Sequence, residues 1–301
     1  MKKFLQRLLI FAVIFFAVDK LFYVFIYISP NYQVDNRIEK LLEGQINKEV
    51  IILGSSRGSM NIMANQLENE TRKTAYNIAF PGSDVAFHDF VLKTLLKFNK
   101  KPKIIIFAVD SPAELQPATS ISYRLDRLYP LVKYNYINQE LINRGDRNFT
   151  SWFLCLSRIN KTNFNLEKKS TKFDSILPCG SIPLNFRNPN FKSEYSSLAT
   201  AYEIKEESEE KRKAFRSILE QCKSNNIKLI FAFSPNFQNH NTSFEKRMRQ
   251  FEIPNSSFFV YDTLNLSYKD ASNFYDESHL NAKGAKIFTS ELSNYINLNK
   301  Y

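Results

Sequence analysis

At 301 residues and 44% hydrophobic composition, the chain can bury one substantial core, or one core plus a large insertion. A formal charge of +11 and a pI near 9.4 suit an anionic surface or polymer. No arginine–aromatic motif, zinc-ligand spacing or helix-turn-helix pattern accompanies that charge, so nucleic acid is set aside as a partner, and the lysines scattered among Asn and Ser read as solvated surface.

Residues 4–29 form an apolar run long enough to span a bilayer, which takes about 20 residues. Asp19-Lys20 interrupts it. From Leu8 to Ile28 there are fifteen Leu, Ile, Phe and Val, together worth roughly −5 to −9 kcal/mol of insertion free energy, against roughly +5 to +7 for two central charges. Insertion is therefore predicted, with Lys20 snorkelling and Asp19 needing a partner. The competing reading, a secretory signal peptide, lacks a small-x-small cleavage site after the run. Lys2, Lys3 and Arg7 on the N-terminal flank predict a cytoplasmic N-terminus and an extracytoplasmic remainder. The predicted organisation is an anchor at 1–30, a polar stalk with one helical turn at 31–46, and one domain over 47–301 with an insertion at about 111–192. Of the three cysteines, an extracytoplasmic location would allow Cys155 and Cys179 to pair.

Strand-like runs recur through the domain at Val50–Leu53, Thr74–Ala79, Lys103–Val109, Ile227–Phe233 and Ser257–Tyr261. The run Ile-Ile-Ile-Phe-Ala-Val is expected where both faces of a sheet are covered. Between the strands, helical spacing is read over Gly58–Leu67, Val85–Phe98, a long helix from Tyr195 to Ser224, Phe244–Phe251, and Ala282 to about Asn297. Ser83 or Asp84 can cap the second of these, Asn281 caps the last, and Gly284 permits close packing. The charged stretch Lys205–Lys213 is predicted to face solvent. Residues 111–192 carry six prolines and no clean period, with short helices read around Leu128–Asn138 and Ser151–Asn160. Strand–helix alternation of this kind predicts an α/β fold with a parallel, doubly wound sheet.

The chemistry concentrates at two places. Gly54-Ser55-Ser56-Arg57-Gly58 closes the first strand, where an open α/β sheet presents its ligand site. A serine there needs a base, itself oriented by a third group. By itself the stretch also reads as an ordinary strand-to-helix turn, and it lacks the Gly-Lys-Ser/Thr of a phosphate loop. Of three histidines, His279 follows Asp276 by three residues, a separation one turn can close, just ahead of a C-terminal helix; His88 on a helix and His240 in a polar loop read as non-catalytic.

With Gly54-Ser55-Ser56 early and Asp276-x-x-His279 late, the chain resembles the SGNH (GDSL-like) hydrolases and acyltransferases. The resemblance covers about residues 48–298. It implies a flavodoxin-like three-layer α/β/α fold with a five-stranded parallel sheet. It also implies a nucleophile at Ser56, a base at His279 and an orienting acid at Asp276. Ser55 stands where the family usually has Asp, which is similar to the membrane-anchored branch that acylates cell-envelope polymers. Gly82 resembles the second-motif glycine that offers an oxyanion N–H, beside that of Ser56, although it also reads as a plain Pro-Gly turn. Asp110 occupies the place of the third-motif asparagine and, ionised, cannot donate. Arg57 either pairs with Asp110 as a counter-ion or reaches substrate. No cofactor is implied, and no clustered ligand set suggests a metal.

The expected activity is thus serine-dependent O-acyl transfer or ester hydrolysis on an envelope glycan, with acetyl as the acyl group. An integral-membrane acyl donor is the expected partner, with Asp19 as a contact for it. The alternative is a catalytically silent member of the same fold that binds a glycan or assists assembly.

Overall fold

The computed structural model describes residues 1–109, 111–168, 176–191, 194–197 and 201–301. Helices α1 (Lys2–Leu21), α2 (Tyr23–Ile28) and α3 (Arg37–Leu42) come first. Strands and helices then alternate: β1 (Val50–Leu53), α4 (Ser56–Asn61), α5 (Ala64–Thr71), β2 (Ala75–Asn77), α6 (Val85–Phe98) and β3 (Ile104–Val109). After α7 (Asn135–Asn143) follow α8 (Glu209–Ser224), β4 (Lys228–Phe233), α9 (Thr242–Arg249), β5 (Ser256–Val260) and α10 (Ala282–Leu298). The chain divides into two compact units, Met1–Glu39 with Arg124–Thr171, and Lys40–Tyr123 with Lys172–Tyr301.

The second unit holds the sheet. All five strands are parallel, in the order β2-β1-β3-β4-β5, the flavodoxin-like order whose direction of winding reverses between β1 and β3. Strand alternation sorts the apolar side chains to two faces. Val50, Ile52, Ile104, Ile106, Ile230 and Phe259 belong to a core closed by α5 and α10. On the other face Phe107 meets Phe215 of α8 and Phe231 at 5.8 and 6.3 Å between ring centres, and α6 packs beside α8. Three layers result, as the resemblance implied. Gly284 explains the closeness of α10: a Cβ there would lie 2.2 Å from the Asn273 carbonyl.

Tertiary partners redraw several boundaries. The helical run over Gly58–Leu67 is two helices, broken at Ile62-Met63. There Ser181 Oγ and Asn77 Nδ2 donate to the Ile62 carbonyl at 2.9 and 3.1 Å, and Met63 N–H donates to Thr289 Oγ1 at 3.0 Å. The long helix expected from Tyr195 begins only at Glu209, capped by Ser208. Of its predicted first half, 198–200 lie outside the described residues, and Ile204–Glu206 is a single 3-10 turn. Nor is Lys205–Lys213 simply a solvent face. The Glu207 carboxylate is buried and receives Arg247 at 2.7 Å, and Lys211 donates to the carbonyls of Ala113 and Gln116 at 2.7 and 2.9 Å.

The first unit carries α1, α2 and α7 with short 3-10 turns at Leu125–Arg127, Tyr129–Leu131, Phe149–Trp152 and Lys161–Phe164. The helix expected around Leu128–Asn138 is a 3-10 turn followed by the start of α7 at Asn135, and the one expected around Ser151–Asn160 is reduced to the turn Phe149–Trp152. Residues Lys2–Tyr32 are helical, with a mean hydropathy of 2.4 over their most apolar window, and by length and composition can cross a membrane. Asp19 has the partners its position demanded: Cys155 and Leu156 N–H each donate to it at 2.9 Å, and Lys20 at 3.0 Å. Asp19 is fully buried by these contacts, so it does not offer a contact to a membrane partner. Residues 31–46 are more than a stalk. Arg37 is buried in a two-pronged pairing with Asp35, at 2.9 and 2.7 Å, and Leu41 and Ile46 are buried as well. Cys155, Cys179 and Cys222 are free thiols, so the Cys155–Cys179 link is not formed. Burial pushes the Cys222 thiol up to about 12, which makes it packing material.

Candidate active site

Strand β1 ends at Gly54, whose φ of +139° and 2.9 Å clearance from the Ala108 carbonyl exclude a side chain. The chain then turns straight into α4 with Ser55 as cap and Ser56 as its first residue. This leaves the Ser56 hydroxyl at the carboxyl edge of the sheet, partly open to solvent. From the far end of the chain, a loop closed by the Phe274–Leu280 bridge and by Tyr275 N–H to the His279 carbonyl at 2.8 Å presents Asp276 and His279. Phe237 N–H holds the loop from outside through the Glu277 carbonyl at 2.9 Å.

The three side chains meet. His279 Nε2 lies 2.7 Å from Ser56 Oγ, and His279 Nδ1 lies 2.8 Å from Asp276 Oδ1. A carboxylate only accepts, so Nδ1 carries the ring proton and Nε2 is the nitrogen free to take the hydroxyl proton. The same Asp276 oxygen accepts the N–H of Ser278 at 2.9 Å and of His279 at 2.8 Å. Burial raises the Asp276 pKa, but the His279 ring and these two N–H groups outweigh it and hold the carboxyl below its ordinary range. About a fifth of each of the Asp276 and His279 side chains is exposed, so the row is reachable from solvent.

Beside it opens a pocket of about 130 Å³ whose lining includes Arg57 and Ser278, the sequence neighbours of Ser56 and His279. Val109, Ser234 and Tyr261, at the ends of β3, β4 and β5, form its floor, with Asn236 and Asn241 among its polar groups. Arg57 is buried at the rim of this pocket. Gly82, with φ +71°, sits in the turn after β2 and accepts Ser122 N–H at 3.0 Å; among the described residues no hydrogen bond joins it to Ser56 or His279. Asp110, and with it the question of its pairing with Arg57, lies outside the described residues. The Ser56 N–H, the other oxyanion candidate, donates to the Ser55 hydroxyl instead of pointing free.

Asn61 is the residue the sequence reading missed. Fully buried at the end of α4, it donates to Ser234 Oγ at 2.7 Å and accepts Leu280 N–H at 3.0 Å, so one side chain joins the helix that starts at Ser56 to the residue after His279. Its signal was an asparagine inside the apolar run Met60-Asn61-Ile62-Met63. His88 does reach a serine, Ser83, at 2.8 Å, with Glu114 3.9 Å from its other nitrogen, but all three are buried. His240 binds Glu245 at 2.7 Å.

No protein-family model matches the chain, and a search of curated proteins returns no match. Among the described residues no group of three or more His, Cys, Asp or Glu could hold a metal ion.

Proposed function

We propose that the protein is a membrane-anchored, SGNH-like serine acyltransferase or esterase whose domain lies outside the cytoplasm and whose substrate is an acylated envelope glycan. The carrying observation is the row Ser56–His279–Asp276, with 2.7 and 2.8 Å contacts at the open carboxyl edge of a parallel sheet. In the proposed reaction His279 Nε2 takes the Ser56 proton as Oγ attacks the ester carbon, then returns it to the departing alcohol. The resulting Ser56 acyl-enzyme is resolved by water or by a sugar hydroxyl, activated by the same nitrogen. The amide and hydroxyl groups lining the adjacent pocket support a polyhydroxylated acceptor. The anchor supports transfer next to an integral-membrane acyl donor. The three basic residues before Leu8 support the stated orientation.

One observation favours a second reading. The Ser56 N–H, one of the two backbone oxyanion candidates, is engaged by Ser55, as a glycan-binding or assembly factor would tolerate. A fluorophosphonate probe separates the two. The enzyme reading expects wild-type labelling that disappears in Ser56→Ala, together with loss of envelope glycan acylation in cells carrying His279→Ala. Unlabelled wild type favours the binder.

A further inference from the structure

We propose that residues 149–156 enter the membrane alongside the anchor helix, with Trp152 and Phe153 in contact with lipid. The inference rests on residues 2–32 being a membrane span, and on a shortfall in length. After Lys2 and Lys3, the part of α1 exposed at every position runs from Phe4 to Val18, a rise of about 22 Å at about 1.5 Å per residue. The hydrocarbon layer is about 30 Å thick, so about 8 Å of it must lie beyond Val18.

Beyond Val18 the helix stays bare on one side, at Leu21, Val24 and Tyr27, and is covered on the other. Asp19 lies under the backbone of Cys155 and Leu156, Lys20 Nζ donates to the Phe153 carbonyl at 2.6 Å, and the Phe25 ring sits 4.8 Å from Phe164. Lipid reaching past Val18 therefore touches this segment. What the segment turns outward there is apolar: Phe149 is 70% exposed, Phe153 63%, and Trp152 and Leu156 are also exposed. A depth of about 8 Å is that of elements seated at the boundary between headgroups and acyl chains, where tryptophan is enriched.

The backbone is prepared for that setting, in which unpaired polar groups are costly. Ser151 N–H donates to Asn148, Phe153 and Leu154 N–H donate to Thr150, and Cys155 and Leu156 N–H donate to Asp19. Lys20 closes the account of charge as the counter-ion of Asp19, its ammonium 4.5 Å from the centre of the Phe16 ring. The two charges that interrupt the anchor thus fasten the second segment to it. Lipid, and not a partner helix, is the occupant because Lys20, which donates to the Phe153 carbonyl, lies against Phe16 and lines the same open hollow as Val13 and Ala17, joining the patch to the bare surface of α1.

Trp152 is the sole tryptophan and reports on its own surroundings. The full chain is reconstituted into vesicles of phosphatidylcholine and phosphatidylglycerol, with or without bromine on the acyl chains, and floated on a density gradient. The expected result is a floating chain whose blue-shifted emission is largely lost to bromolipid and barely touched by aqueous iodide. A floating chain quenched by iodide but not by bromolipid overturns the proposal and leaves the anchor standing. Quenching by neither, the mark of a protein partner over the patch, overturns it as well. A chain that fails to float overturns both readings.

Discussion

Asp276 presents one carboxylate oxygen to three donors, the His279 ring and the N–H groups of Ser278 and His279. That convergence holds the ring in the tautomer that leaves Nε2 facing Ser56. Asp276→Asn keeps the size but lets the amide donate, which favours the opposite tautomer. The expected outcome is a loss of about 10⁴-fold in turnover with the fold retained, read from the rate of ester cleavage beside the unchanged circular dichroism spectrum. The serine, histidine and aspartate were legible in the sequence because their spacing around a strand end and a final helix is local. Asn61 was not, because its partners Ser234 and Leu280 are more than 170 positions away. The Ser55 hydroxyl was equally hidden as an acceptor for the Ser56 N–H, since that contact depends on how β1 turns into α4.

Helix α4 is only six residues long and is held by its ends, with Gly54 before it and Asn61 at its close. Asn61→Ala would strand the Leu280 N–H and the Ser234 hydroxyl in the interior, at a cost of about 1–3 kcal/mol. It would also loosen the His279 loop, and a displacement of about 1 Å there costs about 100-fold in rate. A lowered unfolding midpoint together with slower fluorophosphonate labelling is the expected pair of readings; unchanged labelling would remove Asn61 from the positioning of the site. Helix α6 carries a different liability. Burial first, and the Lys211 charge second, depress the His88 pKa to about 3. An unfolded histidine binds its proton below about 6.5. The native state therefore keeps its full stability above about pH 6.5 and loses it as the pH falls towards about 3, on the order of 1 kcal/mol per unit. In His88→Gln, the drop in denaturation midpoint between pH 7 and 4 is expected to shrink; an unaltered drop assigns acid sensitivity to other groups. Helix α8 shows where local reasoning overreached. Its charges suggested one long solvent-facing helix, but Glu207 turns inward to Arg247 and Tyr202, and the helix starts after it.

At the level of the whole molecule, the long apolar N-terminal helix and the α/β sheet were both readable, for the same reason. Each is announced by a continuous apolar run, twenty-odd residues for a span and four to six for a strand buried on both faces. The segment between β3 and α8 was not readable. Among its described residues it gathers α7 and short 3-10 turns, and what order it has comes from pairs such as Arg127 with Asp35 and the 155–156 backbone with Asp19, whose members are written far apart and outside any periodic pattern. The amino-acid order alone determined the class of fold, the long apolar N-terminal helix, and which serine, histidine and aspartate to consider, because hydrophobic period and short-range spacing are properties of neighbours along the chain. Only the tertiary structure decided that those three side chains meet, that Asp19 is satisfied by a distant backbone, and that Asn61 ties the site together. Those facts are distances between residues that the linear order keeps apart, and packing alone sets them.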